Sequence, residues 1–153
     1  DLGCGTGSLA KFLSGYTKDL DGVDLSEDML SKAKSTNLYN NLYETDLIKF
    51  LKKTKMTYDL ILVAATLIHF KELDEIFSLI HNKLNNEGKF VFSVFDTSKA
   101  DFELNEFQMF SHSKPYIKKI YEKLSFISCY TKRSIHEYHG KDPVYANIFV
   151  LEK

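Results

Sequence analysis

Three glycines at alternate positions, Gly3, Gly5 and Gly7, follow an acidic residue in the opening segment Asp1-Leu2-Gly3-Cys4-Gly5-Thr6-Gly7. Without a Cβ the main chain can turn tightly and come close to a ligand, so this spacing describes a cradle. The next residues, Ser8-Leu9-Ala10-Lys11-Phe12-Leu13, are suited to a helix whose free N-terminal amides point back at the glycines and favour a carboxylate there. The dinucleotide fingerprint G-x-G-x-x-G puts its third glycine one place later, where this chain has Ser8. Asp1 also counts against a pyrophosphate: its charge repels phosphates and suits an ammonium or sulfonium group.

Two further acids stand at the ends of short apolar stretches. Asp24 closes Leu20-Asp21-Gly22-Val23, about 20 residues past the first glycine, which is the place of a ribose-binding acid. Its two oxygens can accept from the 2′ and 3′ hydroxyls together; the plainer reading is a turn residue. Asp46 closes Leu42-Tyr43-Glu44-Thr45. It can accept from an exocyclic amine such as that of adenine, or cap the helix that Leu47, Ile48 and Leu51 begin, and one loop allows both.

The elements that must position these residues follow from periodicity. Ser26 predicts an N-cap for a helix over 27–35 with Met29, Leu30 and Ala33 on one face. The continuous apolar run 60–65 reads as a central strand covered on both sides. Leu73, Ile76, Phe77, Ile80 and Leu84 keep helical spacing until Asn85-Asn86-Glu87-Gly88 ends the helix before a strand over 90–95. A further helix spans 113–124, and strands over 126–133 and 144–152 are joined by a loop through Gly140 to Pro143. This alternation predicts an α/β fold with a doubly wound parallel sheet.

Composition bounds the partners. With 20 basic and 21 acidic residues and a net charge of −1, nothing suggests an open nucleic-acid groove. No apolar run reaches the roughly 20 residues of a membrane span, and no signal-like start is present. The cysteines, Cys4 and Cys129, make no disulfide framework and suit a reducing, cytoplasmic setting, with Cys4 a small filler in the turn. The chain lacks an initiating methionine and its first strand lacks a beginning, so an N-terminal truncation is expected.

DLGCGTG, GVDLS, ETDL, YDLILVAATLIHF and EGKFVFSVFD resemble, in that order, the first motif, the second motif, the adenine-side segment, the fourth strand with its exit, and the fifth strand of class I S-adenosylmethionine-dependent methyltransferases. The resemblance covers nearly the whole chain. It implies a Rossmann-like, doubly wound seven-stranded sheet with an antiparallel C-terminal edge, and a single methyltransferase domain over 1–153. It also implies S-adenosyl-L-methionine as cofactor. Asp1 and the Gly3, Gly5 and Gly7 backbone then meet the methionine moiety, Asp24 holds the ribose, and Leu25 and Met29 flank the adenine. Asp46, with Leu47 adjoining, binds its amine, and the Ala64 region approaches the amino group. The C-terminal half, through Ser111-His112-Ser113, Tyr116-Ile117, Arg133 and the turn 140–144, is similar to methyltransferase domains that follow tetratricopeptide repeats. Those carry Arg-Tyr where this chain has Met109-Phe110.

Ligands of such sheets bind outside the carboxyl ends of the strands, so a methyl acceptor is expected at 66–70 and 96–113. In-line transfer from a sulfonium needs mainly proximity and alignment, with a base only for alcohol, phenol or ammonium acceptors. His69 and His112 are the candidate catalytic residues there, each with a packing or capping alternative. No Asn/Asp-Pro-Pro-aromatic motif follows the fourth strand, where Ala64-Ala65-Thr66-Leu67 stands, and neither cysteine follows proline, which sets aside DNA amino- and cytosine-methylating classes. His81, His136 and His139 offer no metal-ligand pairing, so no metal is expected. A small molecule or a protein side chain, methylated at oxygen or nitrogen, is the expected acceptor. A catalytically silent cofactor-binding partner module and a nicotinamide-dependent reductase are the competing readings.

Overall fold

The computed structural model describes residues 1–153 except for the His139 side chain, so the reading of His139 lies outside the described residues. The chain forms two compact units, Asp1–Lys55 and Met56–Lys153. The first unit contains helix α1 (Ala10–Leu13), strand β1 (Asp21–Asp24), α2 (Glu27–Ser35), β2 (Asn41–Glu44) and α3 (Leu47–Lys53). Strands β1 and β2 pair in parallel, and Leu2 forms a parallel bridge to Val23 on the other side of β1. Helix α2 starts where Ser26 Oγ accepts from Met29 N and ends with Asn37 at φ 56°, a left-handed residue beyond the cap. Leu30 and Ala33 of this helix pack with Cys4, Tyr39 and Leu42 as the core. Met29 is not on that face; it is 39% exposed.

The second unit comprises β3 (Tyr58–Val63), α4 (Asp74–Lys83), β4 (Leu84–Asp96), β5 (Phe102–Leu104), β6 (Phe110–His112), α5 (Lys114–Lys123), β7 (Ile127–His139) and β8 (Asp142–Glu152). Strand β4 is its spine: β3 pairs with it in parallel, and β8 runs antiparallel along its other side with β7 beyond. The antiparallel C-terminal edge of a Rossmann-like sheet is thus present. Phe77 of α4 meets Phe90 and Phe92 edge-on at 5.1 Å, and Phe92 stacks on Phe149 at 5.0 Å, which fastens the helix to the sheet.

Four boundaries differ from those expected. Helix α1 has a single turn starting at Ala10, because Ser8 and Leu9 belong to the turn and Ser14-Gly15 ends it. Strand β3 stops at Val63, since Ala65 takes φ 55°, which an extended strand cannot continue through. Asn85-Asn86-Glu87-Gly88 lies inside β4 as a looped-out irregularity, the ladder stepping from Tyr58↔Leu84 to Leu60↔Lys89. There the left-handed residue is Glu87, at φ 61°. The final hairpin is longer than expected, paired out to His139↔Asp142 around Gly140. The short hairpin β5–β6 was not anticipated; β6 joins β4 in parallel at Phe95↔Ser111 and Asp96↔His112.

Gly22 of β1 lies under the Tyr39 ring, and a Cβ there would stand 2.7 Å from Leu42 Cδ2 and 2.9 Å from Tyr39 Cδ1. Gly22→Ala is therefore expected to lower stability by about 1–3 kcal/mol through overpacking, read as a lower urea midpoint with unchanged slope.

Candidate functional site

The glycine turn is fixed from below by β1. Gly3 N and Cys4 N both donate to the Val23 carbonyl, at 2.7 and 3.0 Å, and Gly7 N closes the turn on Cys4 O at 2.9 Å. All three glycines have positive φ, 75°, 54° and 80° in order. Their reasons differ. At Gly7 a Cβ would come within 3.0 Å of the Tyr39 ring and 3.3 Å of the Ala33 backbone, so that position answers to internal packing. At Gly5 nothing lies within 4 Å of the missing Cβ, which leaves the main chain bare toward open space.

Asp24 does more than end a strand. Its Oδ2 accepts from Gly5 N at 2.8 Å and its Oδ1 from Ser26 N at 2.9 Å, joining the glycine turn to the start of α2. A carboxylate has about four acceptor positions, so both oxygens keep room for a ligand hydroxyl. Asp1 Oδ2 accepts from the Tyr39 hydroxyl at 2.8 Å. Burial pushes the Tyr39 phenol well above its ordinary value, which keeps it a donor, and the Asp1 carboxylate is held at one angle. Sequence reasoning missed Tyr39, which sits in a polar loop with no periodicity to mark it.

Beyond Asp24, Leu25 is 70% exposed, and Met29 in the first turn of α2 is partly exposed as well. Asp46 caps α3, its Oδ1 accepting from Lys49 N at 2.9 Å. Leu47, next to Asp46, has its side chain buried. The helix that follows the glycine turn is a single turn, Ala10–Leu13, shorter than the sequence suggests, with little dipole to lend. Cys4 is buried, and burial followed by the nearby Asp24 charge raises its thiol pKa.

In the second unit the exit of β3 is strained and pinned. Ala65 holds its left-handed φ while its N–H donates to Ser93 Oγ at 3.0 Å, and Thr66 Oγ1 donates to Ala64 O at 3.1 Å. The chain then makes a 3₁₀ turn, Leu67–His69, with Ile68 buried against Phe95 and Ala146 and His69 exposed. His112, the other candidate catalytic residue, is enclosed. It is 0% exposed, with its Nε2 at 3.1 Å from the Lys71 carbonyl and its ring stacked on Tyr116. Ser93 and Ala65 were also missed, because neither a serine inside a strand nor an alanine with positive φ leaves a mark in the sequence.

Among the described residues no group of His, Cys, Asp or Glu is arranged to hold a metal ion, and no helix is long and apolar enough to cross a membrane.

A parallel β-unit with a glycine turn at its carboxyl end and acids after successive strands defines a Rossmann-like binding protein. The chain belongs to the methyltransferase domain family, whose model matches residues 1–138. It is 28% identical over 129 residues to a probable S-adenosylmethionine-dependent methyltransferase of Saccharomyces cerevisiae, covering 78% of this chain and 44% of that protein. It is 27% identical over 139 residues to a putative methyltransferase of Geobacillus, covering 85% and 52%. The chain thus spans about half the length of these curated relatives. Its fold matches the crystal structure of a magnesium protoporphyrin IX methyltransferase from Synechocystis with bound S-adenosylmethionine, with a TM-score of 0.76 at 20% identity, over 100% of this chain and 68% of that one.

The two thiols should separate cleanly under alkylation. With iodoacetamide at pH 8 the folded protein is expected to take up one label, at the exposed Cys129, and a second, at Cys4, only in denaturant. The raised pKa leaves Cys4 as the unreactive thiol at that pH, and mass spectrometry of native and unfolded samples checks this.

Proposed function

We propose that the chain binds S-adenosyl-L-methionine through its glycine turn and Asp24, and serves as an S-adenosylmethionine-dependent methyltransferase. The observation that carries this reading is Gly5: left-handed main chain facing open space, tied by its N–H to a carboxylate that keeps spare acceptor capacity. The exposed apolar pair Leu25 and Met29 beside that carboxylate fits one more part of the ligand, a flat aromatic base. When bound, the cofactor supplies a methyl group on a sulfonium, which passes in line to a nucleophile.

The chain's own residues do the holding. Asp24 accepts from ribose hydroxyls, and the Tyr39-oriented carboxylate of Asp1 faces the cationic amino acid end. The Asp46 carboxylate, which also caps the following helix, receives the adenine amine. Such a site works by alignment and exclusion of water, so most of its rate comes from proximity. His69, exposed at the exit of β3, is the candidate base for an acceptor that must lose a proton. The acceptor class we favour is a small molecule or protein side chain, reacting at oxygen or nitrogen. The near-neutral charge supports that choice over nucleic acid, and the free thiols Cys4 and Cys129 support a cytoplasmic setting.

Calorimetric titration with S-adenosylhomocysteine, with NADH as control, tests the reading. Micromolar binding of the first and none of the second is expected, whereas the reverse, or neither in a folded protein, would overturn it. Asp24→Ala should weaken S-adenosylhomocysteine binding about ten- to a hundredfold, as loss of charge-assisted hydrogen bonds requires. Unchanged affinity in the folded variant would remove the ribose role. Methyl transfer to candidate acceptors separates an enzyme from a silent cofactor-binding module.

A further inference from the structure

The hairpin β5–β6 delivers His112 into a cluster built around the stretch that follows the Leu67–His69 turn. His112 ends β6, opposite Asp96 of β4 and Phe102 of β5. Its Nε2 lies 3.1 Å from the Lys71 carbonyl oxygen, which can only accept, so Nε2 carries the proton. Nδ1 is then a bare acceptor, buried and without a hydrogen-bond partner. The ring stacks on Tyr116 with centroids 5.9 Å apart and interplanar angle 17°, and Phe102 stands edge-on to both. Lys71 Nζ sits 5.3 Å over the Phe102 ring.

Tyr116, on α5, makes the companion contact. Its hydroxyl accepts from Leu73 N at 3.0 Å and donates to Asp74 Oδ2 at 3.3 Å. Burial pushes its pKa up to about 12, so the proton needed for that donation stays in place. Two side chains from β6 and α5 therefore take the carbonyl of residue 71 and the N–H of residue 73. Upstream, Ser93 takes the N–H of Ala65, and Ile68 is locked against Phe95 and Ala146, with Met109 packed alongside. The segment is fixed at four points, and His69 is the exposed side chain between the second and the third.

We infer that His112 is a positioning residue for the acceptor side: by donating to the Lys71 carbonyl it fixes the connection that carries His69. This rests on the acceptor role given above to that connection. A direct part in the reaction is incompatible with a ring that is fully buried and flanked by aromatic neighbours. The unpartnered Nδ1 is the cost of the arrangement, because the carbonyl selects the tautomer that leaves it bare.

Two variants separate the donor from the ring: His112→Gln keeps an N–H donor, and His112→Phe keeps an aromatic ring without one. In the folded chain, His112→Phe is expected to raise hydrogen exchange across residues 67–73 about tenfold, as for one lost hydrogen bond. Exchange in β4 and β8 should not change. The side-chain resonances of His69 should broaden or split, whereas His112→Gln should leave both readouts near wild type. S-adenosylhomocysteine affinity should stay within twofold in both, so loss of cofactor binding by the wild-type protein would tell against the methyltransferase reading alone. Unaltered exchange and His69 resonances in folded His112→Phe would overturn the inference. If that variant does not fold, the imidazole nitrogen shifts of His112 in the wild-type protein decide: a proton on Nε2 that exchanges slowly is expected from its bond to the Lys71 carbonyl, and a proton on Nδ1 alone overturns the proposal.

Discussion

Everything in the first unit that resembles a site hangs on one carboxylate. Asp24 sits at the end of a strand buried at its centre, and its oxygens take two main-chain N–H groups that would otherwise point into a loop, those of Gly5 and Ser26. Charge-assisted bonds of this kind are about twice as strong as neutral ones. They hold the glycine turn in a left-handed conformation that few sequences would keep unaided. A ligand meeting Asp24 therefore meets a group already oriented, and the entropy of ordering it has been spent in folding. The same logic places Asp1, whose carboxylate is aimed by a tyrosine fixed between Gly7 and Gly22.

The second unit solves a different problem: a connection leaving a buried strand must turn sharply without leaving polar main chain unpaired. Ala65 takes the turn at a steric cost, and Ser93 in the neighbouring strand meets its N–H. Further along, His112 and Tyr116 provide side-chain partners where no strand is available. Arg133 and Asn147 do the same for Asp96 at the end of β4, donating to its two oxygens at 2.7 Å each, while the guanidinium lies 3.6 Å over the Tyr145 ring. Loop ends on this side of the sheet are thus held by side chains from the C-terminal half of the chain.

What could be read from the sequence divides along chain separation. Ser26 and Asp46 were legible as helix caps because the bond each makes reaches only three residues along. The glycine turn and its acids were legible because residue type and spacing carry the constraint themselves. The bonds that missed notice span 28 residues for Ala65 and Ser93, 38 for Tyr39 and Asp1, 41 for His112 and Lys71, and 43 for Leu73 and Tyr116. Such pairs depend on which strands become neighbours, and no periodicity encodes that. A helical wheel marks apolar positions without saying which of them face the sheet, so Met29 was grouped with Leu30 and Ala33 although it is 39% exposed.

The long C-terminal hairpin has its own consequence. Strand β8 stays with β4 only as far as Phe95↔Ala146, yet β7 and β8 remain paired from Ile135↔Tyr145 out to His139↔Asp142. Among the described residues that outer ribbon has no third strand, and two strands alone are marginal in water. The tip can therefore gain or lose residue pairs with little effect on the sheet it grows from. It is the place where this scaffold can change its reach without renegotiating its core.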